Sequence, residues 1–394
     1  MQLKKLMKAL GIFTVAAGLM IMFVTPAAAK DPNTLYLGCV FDLTGYTQYY
    51  GIPTLKGVKL AVEQINAAGG IGGKYKIKLA VKDYRLRGKT AIKLTKTLLA
   101  DGVDVVMGPA TSAYAIVVGK LCAKKNVPML GPHITSPSVP RAIGPYGFNV
   151  NSAGHIQAAV LARYAIEEGY KTAYILVSPD DAYTFELPEY FARAFEQMGG
   201  KLIGKCTYTL SQEDFTVEVR KIKKLKPQPD VIMSTAFGAY YASLLSSMRM
   251  AGIKIPYFGA EAIDEPSALG LGKVTEGVVF TTNSIAQPGN SMDKFNRDYK
   301  RKYGKENRGL YPALGYDAVK LIEAAVLKAG STDGPAIRDA LDTLKDVQGA
   351  TGKITFAGRN RMAFRPIALC KMHNGKKTLI KWVIPNPADI PPLN

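Results

Sequence analysis

The sequence predicts an α/β protein of two lobes, each built on a mostly parallel sheet with helices on both faces. Three observations carry that reading. The chain has 394 residues, more than the roughly 250–300 that a single hydrophobic core usually serves. From residue 34 onward, apolar strand-like runs alternate with segments of helical period, the rhythm of a parallel sheet. That rhythm restarts after a connector, His133 to Asn151, which is rich in Pro, Ser and Gly.

Residues 1–29 are read as a leader that lies outside the fold. Lys4, Lys5 and Lys8 make a basic start, Ala9 to Val24 an almost unbroken apolar run, and Ala27-Ala28-Ala29 a signal-peptidase pattern. The run of 16 residues is shorter than the about 20 of a membrane span. Secretion through a cleavable signal peptide is therefore expected, with an uncleaved amino-terminal anchor as the alternative. Losing three lysines and no acidic residue would take the formal net charge from +20 to +17. The excess is spread along the chain, and there is no zinc-finger spacing or aromatic RNA-binding pattern, so nucleic acid is not expected as a partner.

Leu35 to Phe41 reads as the first buried strand, and Leu55, Val58, Val62 and Ile65 follow at helical spacing. Gly69-Gly70-Ile71-Gly72-Gly73 ends that helix, and residues 75–81 alternate as a strand. Helices over 90–100 and 112–124 flank a short apolar strand at 103–107, and 127–130 is the next strand. Beyond the connector come a helix at 155–168, a strand at 173–177, a helix reaching Gln197 and strand 202–208. Helix 215–225, strand 231–234, helix 240–250 and strands at 256–258 and 278–281 continue the series. Helices at 291–303, 312–329 and 333–344 follow, and their periodicity does not say which lobe owns them. The tail reads as short antiparallel strands at 353–356, 366–372 and 378–383, the last two a hairpin turning at Asn374-Gly375. No convincing internal repeat is visible.

Catalytic chemistry finds little support. His133, His155 and His373 have no HExxH or HxH partner, and no GxSxG elbow is present. The glycine cluster at 69–73 follows a helix instead of a strand, the wrong context for a dinucleotide. Cys39, Cys122, Cys206 and Cys370 show no metal spacing, although an oxidised pair would be allowed outside the cytoplasm. An enzyme is not expected, and no metal or organic cofactor is required.

A binding site is easier to build. Ligands of open parallel sheets sit beyond the carboxyl ends of the strands. Strand 103–107 ends in Gly108-Pro109-Ala110-Thr111-Ser112 before a helix, and strand 127–130 in Gly131-Pro132-His133-Ile134-Thr135-Ser136. Hydroxyls and free N–H groups at two such ends can clamp a carboxylate, while helix capping by Ser112 and a turn at Thr135 are the plainer roles. Glu261, after strand 256–258, would meet an ammonium. Tyr46, Tyr49, Tyr50, Tyr183 and Phe237 gather at comparable loops and could wall a side-chain pocket or simply pack.

Several stretches, in this order, resemble the substrate-binding proteins of branched-chain amino acid ABC transporters. They are Leu43-Thr44-Gly45 with Tyr50-Gly51, Ala61 to Asn66 with Gly69-Gly70-Ile71, Asp101-Gly102-Val103 to Gly108-Pro109, Thr275 to Val278, Gly315 to Ala318, and Gly349 to Phe356. The resemblance covers essentially the whole chain past the leader. It implies a bilobed type I periplasmic binding protein whose chain crosses between lobes three times. Lobe 1 would hold 31–149 and 282–349, and lobe 2 would hold 150–281 and 350–394. It implies an amino acid, apolar or aromatic in its side chain, caught between closing lobes and passed to a membrane permease by a monomer. Ser112 and Thr135, with backbone near Ala110 and His133, would take the carboxylate, Glu261 the ammonium, and Tyr50, Tyr183 and Phe237 the side chain. The sequence departs from the family pattern at Lys82 to Arg87, at His133 and at Phe237, where a tyrosine is usual. An aromatic or small organic acid without an amine is the alternative ligand, and a sensory module the alternative role.

Overall fold

The computed structural model describes residues 30–393; the leader expected at 1–29 lies outside the described residues. Lobe 1 opens with β1 (Thr34–Phe41), α1 (Gln48–Ala67), β2 (Lys76–Asp83), α2 (Gly88–Ala100), β3 (Val105–Met107), α3 (Ser112–Ala123), β4 (Met129–Gly131), α4 (Ser138–Ile143) and β5 (Gly147–Ser152). Lobe 2 follows with α5 (Gly154–Glu167), β6 (Thr172–Val177), α6 (Ala182–Gln197), β7 (Lys201–Thr207), α7 (Thr216–Lys224), β8 (Val231–Ser234) and α8 (Gly238–Met250). It continues through β9 (Tyr257–Gly259), a short 3-10 turn at Glu261–Ile263, α9 (Pro266–Leu269) and β10 (Val279–Thr282). The chain then returns to lobe 1 with α10 (Ser291–Tyr303), α11 (Tyr311–Ala329), α12 (Gly334–Asp342), β11 (Val347–Gly349), β12 (Gly352–Ile354) and β13 (Met362–Ala363). It ends in lobe 2 with the hairpin of β14 (Ile367–His373) and β15 (Lys376–Val383).

The lobe 1 sheet runs β13-β5-β4-β3-β1-β2, all parallel. In lobe 2 the order β10-β9-β8-β6-β7 is likewise parallel, extended by antiparallel β14 and β15. Each lobe therefore places its second strand outside its first and its third on the other side. That reversal opens a crevice at the carboxyl ends of the first and third strands. The two lobes repeat this topology although the sequence shows no repeat.

Strand β1 shows why the sheet forms. Leu35, Leu37, Cys39 and Phe41 join one apolar cluster with α1 and α11, while Val40 joins the cluster under α2 and α3. Both faces are covered, so the strand is nearly continuous in apolar residues. Helices α1 and α11 cross so closely that a Cβ on Gly57 would lie 1.7 Å from the Pro312 carbonyl oxygen, and one on Gly315 2.2 Å from that of Thr54. Only glycine permits this approach, which brings Tyr50 and Tyr311 together.

Two expectations need correction. The connector at 133–151 holds a helix, α4, and most of a strand, β5. The return to lobe 2 expected at residue 350 comes too early: β12 pairs with β11, β13 pairs with β5, and Ile354, Phe356 and Ala363 lie in the lobe 1 core. The lobe 1 sheet likewise keeps the chain through Ser152, three residues past 149. Crossing to lobe 2 for the last time falls at 364–366, where Arg365 is 1% exposed. Its guanidinium meets the Asp317 carboxylate at 3.3 Å, the Thr351 hydroxyl and the Val150 carbonyl. The first two crossings are joined as well, by Asn283 Nδ2 donating to Asn151 Oδ1 at 2.7 Å. All four cysteines are buried and free.

Candidate functional site

The carboxyl ends of the two sheets face one another across a narrow cavity of about 40 Å³, well below the roughly 300–1,000 Å³ of ligand pockets. From lobe 1 it is lined by Tyr50, Ala110, Thr111, Ser112, His133 and Tyr311, and from lobe 2 by Asp181, Tyr183, Phe237, Glu261 and Ala262. Corresponding loops contribute on both sides. Ala110 to Ser112 follow β3 and His133 follows β4, while Phe237 follows β8 and Glu261 follows β9. Topology alone therefore predicts where these residues converge.

Seven of the eight expected site residues line this cavity: Ala110, Ser112, His133, Glu261, Tyr50, Tyr183 and Phe237. Thr135 does not. It is 1% exposed, and its carbonyl accepts the Gly154 N–H at 2.8 Å, holding the start of α5 behind the wall. Reading hydroxyls along a loop could not reveal which one the wall leaves out. Thr111, Asp181, Ala262 and Tyr311 were missed. Asp181 carries a signal, as a helix-capping residue two positions before Tyr183. Tyr311 has none, because the second crossing returns α11 to lobe 1 from far along the chain.

Aromatic rings dominate the wall. Tyr50 lies 4.4 Å from Tyr311 and 6.3 Å from Phe237 between ring centroids, and Phe237 lies 6.4 Å from Tyr183. Tyr50 also crosses between lobes, its hydroxyl donating to the Ala262 carbonyl at 3.3 Å. On the other side of the entrance, Gly238 begins α8 with φ +54°, and a Cβ there would lie 2.0 Å from the Tyr49 hydroxyl. Lobe 1 and lobe 2 thus touch through α1.

The polar groups are unusual in their balance. His133 shares a 2.6 Å hydrogen bond with the Thr54 hydroxyl through Nε2, while Nδ1 has no partner. Burial pushes its pKa down to about 3, so the imidazole is neutral. Glu261 is 2% exposed, and its Oε2 has no hydrogen-bond partner in the chain. Burial pushes this carboxyl up to about 8, opposed only by the Gln157 amide and its own backbone N–H. Gln157 is in turn held by the Ser152 carbonyl at 2.8 Å and the Thr281 hydroxyl at 2.7 Å, which fixes it against two crossings. Burial likewise raises the Asp181 carboxyl, against the N–H groups of Tyr183 and Ala113. Among the described residues lining the cavity, none is Lys or Arg. A buried carboxyl without a cation is set to receive one.

Comparison with known proteins gives a consistent result. Residues 34–377 match the family described as periplasmic binding protein. A Leu/Ile/Val-binding protein homolog of Brucella melitensis is 26% identical over 368 residues, 92% of this chain and 97% of that one. The crystal structure of a leucine-binding protein from Thermotoga maritima superposes with a TM-score of 0.81 at 23% identity, covering 90% of this chain and 99% of that one. A solute-binding protein of an R. palustris ABC transporter, in complex with benzoate, superposes at 0.79 with 20% identity, covering 89% and 97%.

Proposed function

The chain belongs to the periplasmic binding protein family, and from that membership we propose that it captures an amino acid with an apolar or aromatic side chain and delivers it to the permease of an ABC transporter. Glu261 carries the reading. Its carboxyl is buried in the cavity with one oxygen unpartnered and no Lys or Arg along the wall, so a ligand ammonium is the group that satisfies it. Ser112, with the backbone of Ala110 and Thr111, is assigned to the ligand carboxylate, and Tyr50, Tyr183, Phe237 and Tyr311 to the side chain. The relatives that bind leucine by name support the amino acid.

Closure of the lobes belongs to this function. A ligand that touches both lobes stabilises the closed form by its differential affinity. The crossings tied at Asn151, Asn283 and Arg365 form the hinge about which the lobes move.

The ring-lined wall also suits an aromatic acid, and the benzoate complex of a similar fold keeps that reading in view. Thermal unfolding of the ligand-stripped protein separates the two. The twenty amino acids are tested beside their deaminated analogues and a set of aromatic acids, since a ligand of the native state raises the melting temperature. A shift with one amino acid but not with its deaminated analogue supports the proposal. Shifts only with acids lacking an amine reject it.

A further inference from the structure

The cavity holds a second buried carboxyl for which the amino-acid reading has no use. Asp181 is 7% exposed. One oxygen accepts the Tyr183 N–H at 2.9 Å and caps α6 of lobe 2. The other accepts the Ala113 N–H at 3.3 Å, in the first turn of α3 of lobe 1, and the neighbouring Ser112 N–H helps to oppose the rise of its pKa. One carboxylate thus lies between the amino-terminal ends of two helices from different lobes. Partial positive charge from both converges on it.

This is the place assigned above to the carboxylate of the ligand. Two anions brought to the same end of α3 repel one another, and the neutral His133 offers no compensation. Glu261, with one oxygen unpartnered in the same cavity, adds a second acidic group with no basic residue on the wall. We infer that Asp181 is an internal stand-in for the ligand carboxylate, latching the lobes through α3 and leaving these N–H groups only when a ligand carboxylate displaces it. The inference rests on the amino-acid reading and names the residue that sets selectivity at the carboxylate end. Because the incoming carboxylate replaces an anion already satisfied, it adds little net affinity, whereas the ammonium gains Glu261 outright. Selection then lies with the amine. An acid without one brings a charge to a cavity that has two carboxyls and nothing to neutralise it.

Asp181→Asn keeps a capping oxygen and removes the charge. Calorimetric titration of the wild-type protein and this variant uses leucine and phenylalanine, their deaminated analogues 4-methylpentanoate and 3-phenylpropanoate, and the decarboxylated amines isopentylamine and phenethylamine. The variant is expected to bind the amino acid at least about tenfold more tightly and to gain affinity for the deaminated acids, with no gain for the amines. Unchanged or weaker amino-acid binding overturns the inference. Small-angle scattering of the ligand-free protein tests the latch without any ligand. Asp181→Ser still caps α6 but is too short to reach Ala113, and it should give a larger radius of gyration than the wild type. Equal radii overturn the latch. Failure of the wild type to bind any amino acid would reject the proposed function, while scattering would still decide the role of Asp181.

Discussion

Asp317 at the hinge and Glu261 in the cleft are hidden to the same degree, 0% and 2% exposed, and the chain treats them in opposite ways. Asp317 accepts the Ala350 N–H at 2.5 Å, the Thr351 N–H at 3.3 Å and the Arg365 guanidinium at 3.3 Å. Burial raises its pKa, but Arg365, the Thr351 hydroxyl and two backbone N–H groups all oppose the shift. Glu261 has the Gln157 amide and its own N–H, and one of its oxygens has nothing. A buried carboxylate matched within the chain holds the fold together. One left unmatched costs the native state free energy, which the proposed ligand ammonium would relieve.

The largest effect expected from this contrast is at the hinge. Arg365→Ala strands Asp317 and is expected to lower stability by about 3–5 kcal/mol, read by chemical denaturation. A loss below about 1 kcal/mol would show that Asp317 is not held by its partner. Glu261→Gln should act in the reverse direction on the fold. The ligand-free protein should melt at a higher temperature at pH 8, while affinity for the amino acid falls at least about tenfold. A variant that loses stability and keeps its affinity would erase the distinction between the two sites.

Acidity sharpens the same comparison. The folded state holds the Glu261 proton up to about pH 8, whereas the unfolded chain releases it near the ordinary carboxylate range. The native state therefore binds more protons in that window, and ligand-free stability should fall as pH rises through it, a trend absent from Glu261→Gln. Pairing with an ammonium requires the ionised form. Affinity should accordingly rise by up to about tenfold per unit from pH 6 to 8, with release of a proton measurable by titration in buffers of different ionisation enthalpy. A flat profile would remove Glu261 from the ammonium. The smallest effect is expected at Gly238, whose φ of +54° and contact with Tyr49 make Gly238→Ala unfavourable by about 1–2 kcal/mol. Because Tyr49 lies in the other lobe, the variant should weaken ligand binding several-fold, and Tyr49→Phe in the same chain should recover part of it.

The elements that were legible share a physical trait. β1 is apolar on both faces, and α3 follows a strand end with a hydroxyl at its start. The connector at 133–151, expected from its Pro, Ser and Gly content, takes in most of β5, with Asn149 and Asn151 inside it. In the fold they are buried and partnered, Asn149 Nδ2 with the Ser136 carbonyl at 2.9 Å and Asn151 with Asn283 at 2.7 Å. Composition cannot distinguish an amide that bonds across a hinge from one that faces water. Within the site, Ser112, Glu261 and Phe237 were recoverable because each stands at the end of a recognisable strand. Asp181 shows only the pattern of a helix cap, and its meeting with α3 depends on the other lobe.

By itself, then, the sequence determined what depends on neighbours along the chain: the strand and helix periods, the α/β class and the strand ends that meet at the cavity. Three things came only from the tertiary structure: the late crossing at 364–366, the arrival of Tyr311 beside Tyr50, and the exclusion of Thr135 from the wall. To these it added the contact that puts Asp181 on α3. Each is a contact between segments distant in sequence, whose free energy depends on packing of whole lobes and leaves no period or local motif to read.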